Sequence, residues 1–342
     1  MKIIVDAHGG DHAPLEILKG AAQAVAEYGH EVVLVGRESE LRALAQQESV
    51  SLAGMELVDA QDVIAMEDHP KSILREHKDC SMAVALRLLA DGKGDAVVSA
   101  GSTGALLMGA TFLVKRIKGI SRPALAPVLP SDESPFMLID CGANADCRPE
   151  MLVQFAQMGS IYMSHMYPRE GGPRVGLLNI GTEDTKGSEL QLATFPLLKE
   201  SGLRFIGNVE ARDVPAGAAD VVVADGFSGN VFLKTMEGTV DMLMKNLKQS
   251  LMQTALTKMG ALLVMPGLRA LKKKLSTSEH GGAVLLGVNK PVIKAHGNSK
   301  AKAFASAIRV AAEFAASGAV EEIAAVTAQQ KEADAKQGDE TT

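Results

Sequence analysis

The sequence predicts an α/β protein built on a mostly parallel, Rossmann-like sheet with helices on both faces. Short apolar, β-branched runs alternate with stretches of helical periodicity along most of the chain, and strand, helix, strand in repeated order implies parallel pairing. Several of those runs end alike, in a polar corner with glycines that leads straight into a helix. The fullest example is Asp220 to Lys234, DVVVADGFSGNVFLK: a buried strand, a turn from Asp225 to Asn230, and then Val231, Phe232, Leu233 and Met236 at helical spacing. A hydrophobic share of 46% in 342 residues is ordinary for a globular protein and enough for a large core.

In chain order, Ile3 to Val5 form a first strand, and Pro14 stands at the start of a helix reaching Tyr28. Glu31 to Val35 form a second strand, 38–47 a helix, and Met55 to Val58 a third strand. Asp62 to Lys78 is polar and reads as a loop before a helix from Ser81 to Ala90. Ala96 to Ser99 runs into Gly101, Ser102, Thr103 and Gly104; Phe136 to Asp140 into Cys141 to Asn144; Val175 to Ile180 into Gly181 to Lys186. Ser121 to Pro135 holds four of the thirteen prolines and reads as a crossover between lobes. Met151 to Met166 has helical spacing, and Leu203 to Val209 reads as a strand.

Residues 239–275 differ in kind. Methionines and leucines alternate with Lys245, Lys248, Lys258, Arg269, Lys272, Lys273 and Lys274, and no acid stands between Asp241 and Glu279. The longest uncharged run, from Lys258 to Arg269, is roughly half of a spanning helix and contains Pro266 and Gly267. Such a segment suits a dimer seam, an acidic partner or a membrane surface. Strands at 281–288 and 291–294 follow, then an alanine-rich helix opening at His296 to Ser299. Residues 331–342 lack apolar positions and read as a disordered tail.

A net charge of −6 argues against a nucleic-acid partner. Three cysteines, none in a CxxC pair, point to a reducing cytoplasm rather than a disulfide framework or a zinc site, and the chain opens directly on a strand without a signal peptide. No GxGxxG follows a strand, GTEDTKGS departs from a Walker loop, and GFSGN is not a nucleophile elbow. What stands out is a set of amide-rich corners with Lys186, Arg212, Lys234 and His296 nearby, suited to one phosphate. Glycine-bearing corners are also plain architecture in any α/β fold, so a scaffold without chemistry, and an NAD-dependent decarboxylating dehydrogenase, stand as alternatives.

The ordered motifs DAHGGDHAP (6–14), SAGSTGA (99–105), DCGANAD (140–146), GLLNIGTEDTKG (176–187), GNVEARD (207–213), DGFSGNVFLK (225–234) and GGAVLLGVNKPVIKAHGNS (281–299) resemble the phosphate acyltransferases of bacterial phospholipid synthesis. His8, Ser102 and Lys290 depart from that family's usual residues. The resemblance implies two α/β/α lobes around a cleft within residues 1–330, in the fold of phosphotransacetylases and the isocitrate and isopropylmalate dehydrogenases. It also implies a homodimer, peripheral membrane association, no cofactor, and transfer of a fatty acyl group from acyl carrier protein to inorganic phosphate. A glycerol-phosphate acyltransferase would consume the product. Transferred to this chain, Lys186 and Lys234 hold phosphate with the corners at Asn179, Gly181 and Thr182 and at Asp225, Gly226, Ser228 and Gly229. His296 or Asn230 stabilises the oxyanion or protonates the thiolate. Ser102, Thr103, Asn144, Asn208, Glu210 and Arg212 shape the pocket, and Lys258, Arg269 and Lys272 to Lys274 meet membrane or carrier protein.

Overall fold

In the computed structural model, which describes residues 1–275 and 281–340, strand and helix alternate much as the periodicity predicts. The first part holds β1 (Lys2–Asp6), α1 (Leu15–Tyr28), β2 (Glu31–Gly36), α2 (Glu38–Gln47), β3 (Met55–Asp59), α3 (Ser81–Ala90), β4 (Ala96–Ser99) and α4 (Thr103–Gly109). The middle holds β5 (Ala124–Leu129), β6 (Phe136–Ile139), α5 (Pro149–Met166), β7 (Val175–Asn179), α6 (Glu189–Glu200), β8 (Phe205–Glu210) and β9 (Val221–Val223). Two long helices follow, α7 (Gly226–Leu251) and α8 (Ala255–Leu275), then β10 (Ala283–Leu286), β11 (Val292–Lys294), α9 (Ala301–Ala316) and α10 (Ala319–Glu340).

The strands form one sheet in the order β3-β2-β1-β4-β11-β10-β5-β6-β9-β7-β8. β1 to β4 and β11 are mutually parallel, and so are β6, β9, β7 and β8. Between these blocks β10 is antiparallel to both β11 and β5, and β5 is antiparallel to β6. Three reversals leave the two blocks running in opposite directions. Corners after β4 and β11 therefore leave one edge of the sheet, and corners after β6, β7 and β9 leave the other. They meet only across the sheet face, over β10 and β5.

Residues 121–135, read as a crossover, instead contain β5. Its alternation of Ala124, Ala126 and Val128 is buried, and that apolar demand outweighs the prolines. Leu125 bonds towards the β6 side, its N–H to the Asp140 carboxylate and its carbonyl to Cys141. By the two-residue period of a strand, the missing N–H of Pro127 faces the same side, where the β6 ladder covers only Val128 and Leu129. Residues 331–340 also differ from expectation. α10 runs on to Glu340, because extending an existing helix through alanine, glutamine and lysine needs no new nucleus.

One continuous apolar cluster runs beneath α1, α5 and α9 through both blocks, from Ile3 and Val98 to Ile139 and Val223. A second lies under α3 and α4, and a third, around Phe136 and Val222, lies under the first turns of α7. Gly229 makes that last packing possible, since a Cβ there would stand 2.0 Å from the Asp140 carbonyl oxygen. Helix propensity alone favours alanine at this position by about 1 kcal/mol. Gly229→Ala is nevertheless expected to lower the urea midpoint, because overpacking costs about 1–3 kcal/mol; a raised midpoint would show that the two backbones do not approach this closely.

Candidate functional site

Asp140, at the end of β6, is fully buried. Its carboxylate accepts from the backbone of Leu125 (2.9 Å), Cys141 (2.6 Å), Ala143 (3.3 Å) and Asn144 (2.6 Å) and from Asn144 Nδ2 (3.0 Å). Burial pushes this carboxyl up while those donors pull it down. The corner from Cys141 to Asn144 is thereby wrapped around one side chain. Asn144 then anchors α7, its carbonyl accepting from Gly226 N at 2.7 Å.

The start of α7 differs from the open anion cradle its sequence suggests. The Asp225 side chain caps the helix by accepting from Ser228 N at 2.8 Å, Gly229 N donates to the Asp225 carbonyl at 2.9 Å, and Gly226 N is spent on Asn144. Three of the amides expected to hold phosphate are thus engaged. Further along, the exposed Asn230 and Lys234 and the half-buried Glu237 share one helix face. Lys234 Nζ donates to Glu237 at 2.8 Å, and His296 Nε2 stands 3.7 Å from the other Glu237 oxygen. Burial alone would raise the Glu237 carboxyl, but the His296 and Lys234 contacts outweigh it and hold it below the usual range.

From the opposite sheet edge comes Lys294, the last residue of β11. It is 8% exposed, and its ammonium donates to the Ala100 carbonyl at 3.3 Å and the Ala295 carbonyl at 2.5 Å. Burial lowers its pKa to about 8, against the pull of Asp11. The corner after β4 is built like the Asp140 corner, around the buried Asp6, which accepts from Ser81 and Ser99 hydroxyls at 2.6 Å each. It places Thr103 at the mouth of α4 and leaves Ser102 buried behind it.

These groups open onto one cleft of about 1620 Å³, whose polar end is lined by Asp11, Thr103, Gly142, Asn230, Lys234, Glu237, Lys294 and His296. The structure does not bring the other predicted residues there. Asn179 and Asn208 clamp the loop after β7 by donating to the Lys186 and Glu183 carbonyls, while Gly181, Thr182 and Lys186 belong to that loop. Arg212, 78% exposed, pairs with Glu210 at 2.7 Å. The reason is strand order: β7 and β8 lie two and three places out from β6, hence about 10–15 Å from its corner at ~4.8 Å per strand. Lys258 and Arg269 are exposed on α8, and of the two Arg269 also lines the far part of the cleft. The side chains of Lys272, Lys273 and Lys274 lie outside the described residues. Among the described residues no group of three His, Cys, Asp or Glu is placed to hold a metal ion.

A family model described as "Fatty acid synthesis protein" matches residues 1–322. A phosphate acyltransferase of Desulfitobacterium hafniense (strain DSM 10664 / DCB-2) is 49% identical over 94% of this chain and 96% of its own. Another, from Thermoanaerobacter pseudethanolicus, is 50% identical over 92% of this chain and 93% of its own. The chain belongs to the phosphate acyltransferase family. It is an acyltransferase, and phosphate is the acceptor its family name specifies. In fold it is similar to a phosphotransacetylase from Streptococcus pyogenes (TM-score 0.60, 18% identity, 94% of each chain) and to EutD phosphotransacetylase from Staphylococcus aureus (TM-score 0.59, 18% identity, 92% and 94% of the two chains).

Sequence reasoning missed Glu237 and Lys294 as parts of this acyltransferase cleft, and Asp140 as the buried carboxylate that holds the corner behind it. Lys294 had a legible signal, a charge closing an apolar strand, Val292 to Lys294, just before a glycine corner. Its titration is testable. With a folded pKa near 8 and an ordinary unfolded value of 10.5, the unfolded chain holds more protons between those limits, so this group's contribution makes stability rise from pH 8 to pH 10.5. The gain is on the order of 3 kcal/mol. Denaturant unfolding of the parent and Lys294→Met across that window is expected to show the rise in the parent and its loss in the variant; parallel pH curves would place the ammonium in water.

Proposed function

We propose that this acyltransferase moves a long-chain fatty acyl group from acyl carrier protein to inorganic phosphate, giving an acyl phosphate for phospholipid synthesis. The observation that carries the reading is the polar end of the cleft, where Lys234, Lys294 and His296 from opposite sheet edges face one space. Three basic groups there meet Glu237 and Asp11, so the two carboxylates do not outweigh the bases and an anion can be admitted. Phosphate is itself a nucleophile at neutral pH. One phosphate oxygen attacks the thioester carbon, Asn230 and the His296 ring donate to the oxyanion, and the tetrahedral adduct collapses with the acyl–sulfur bond breaking. The departing thiolate takes a proton from His296 or water. Cys141 lines the same cleft, but burial pushes its thiol up, so direct attack by phosphate needs no acyl-enzyme.

The protein works as a homodimer on the inner face of the membrane, where a glycerol-phosphate acyltransferase consumes its product. What supports the membrane contact is the α7–α8 arm, where Leu256, Leu262 and Leu263 are 77%, 72% and 85% exposed beside Lys258. Among the described residues no single helix is long and apolar enough to cross a membrane. The same basic arm suits an acidic carrier protein.

The deciding experiment mixes pure protein with an acyl thioester of the carrier protein, with and without phosphate, and measures free thiol and acyl phosphate. Both are expected only with phosphate; thioester binding without phosphate-dependent release would leave a scaffold. In that assay Lys234→Ala is expected to lower turnover by about two to three powers of ten, the usual loss on removing a charge-stabilising group, and wild-type rates would remove Lys234 from the site. For the arm, Leu262→Asp with Leu263→Asp is expected to abolish flotation with anionic vesicles that carry the parent protein; equal flotation would put the contact elsewhere.

A further inference from the structure

The cleft does not end at its polar mouth. At about 1620 Å³ it exceeds the roughly 300–1,000 Å³ of an ordinary small-molecule pocket, and an apolar stripe runs along one margin of its α7 wall while Asp241, Lys245 and Lys248 of α7 and Arg269 of α8 line it beside that stripe. Leu233, Met236, Val240, Met244, Leu247 and Leu251 line it in succession. Their spacing of three or four residues makes one continuous stripe along α7. Met265 and Leu268 of α8 line the far part. The opposite face of α7 bears Met242, exposed and outside the cleft. The stripe begins beside Lys234, in the polar end already described, and finishes at the arm. This continuity suits a molecule with an anionic or polarised head at Lys234 and a long apolar tail.

We propose that this stripe is the seat of the acyl tail and sets the chain length the enzyme accepts, with the thioester carbonyl at Lys234 and the terminal methyl pointing along α7 toward the arm. The assignment rests on the acyl-transfer reading given above. Helix geometry supplies the scale. At about 1.5 Å per residue, Val240, Met244 and Leu247 lie roughly 9, 15 and 20 Å beyond Lys234. An extended alkyl chain advances about 1.25 Å per carbon, from ~1.5 Å bonds at ~111°. Val240 then lies level with about the seventh carbon, Met244 with about the twelfth and Leu247 with about the sixteenth. Methionine suits such a surface, because its unbranched, polarisable side chain repacks around tails of differing length.

The experiment compares kcat/KM for phosphate-dependent release of thiol from eight-carbon and sixteen-carbon acyl thioesters, using the full-length protein. Met244→Trp is expected to lower the sixteen-carbon value at least tenfold relative to the eight-carbon value, and Leu247→Trp to do so less. Val240→Trp, nearest the head, should depress both. Met242→Trp, on the outer face of the same helix, should leave the ratio of the parent. Retained eight-carbon turnover in Met244→Trp shows that the variant is folded. An unchanged ratio in Met244→Trp overturns the tail seat while leaving acyl transfer intact; absence of phosphate-dependent release in the parent defeats the underlying reading instead.

Discussion

A carboxylate sealed from water is tolerable only when its lone pairs are filled, and Asp140 fills them with five N–H contacts drawn from the start of β5 and from its own corner. That requirement fixes more than a turn. Filling them forces the chain after β6 to fold back on itself, turns the Asn144 carbonyl toward Gly226, and brings the backbone of α7 against that of β6 at Gly229. Asp6 does the equivalent work in the other block, gathering Ser81 of α3 and Ser99 of β4. Each block thus has one interior anion holding its corner, and the two corners face each other across the central strands.

The reversal at β10 and β5 explains where the chemistry sits. In a sheet parallel throughout, all corners would crowd one edge and the site would be a row along it. Opposed blocks instead leave a corner at each edge, and the intervening face is open until something spans it. α7 does so: it leaves the β9 edge and, within three turns, carries Lys234 and Glu237 to His296, on the corner that follows β11. Positive charge from both edges is thereby pooled, and Glu237 and Asp11 temper it.

Local chemistry was readable in the sequence and long-range geometry was not. α2 and α3 fall on Glu38–Gln47 and Ser81–Ala90, as their periodicity alone indicates, because caps and apolar spacing are settled within a few residues. Asn230, Lys234 and His296 could be singled out because each stands at or just beyond a glycine corner. Strand order and direction depend on pairings across the whole chain. Nothing near Val175 or Phe205 reveals that β7 and β8 are the outer strands, and so Lys186 and Arg212 looked as eligible as Lys234. Proline misled at β5 for a related reason: its cost depends on which neighbour its nitrogen faces.

α7 is one uninterrupted helix of 26 residues that holds Asn230 and Lys234 near its start and the exposed arm at its end. Each residue added to or removed from such a rod turns everything beyond it by about 100°. A single deletion between Lys234 and Met244 would swing the apolar stripe out of the cleft and the arm onto another side of the molecule, with every side chain chemically intact. The spacing along this helix is consequently a frozen quantity.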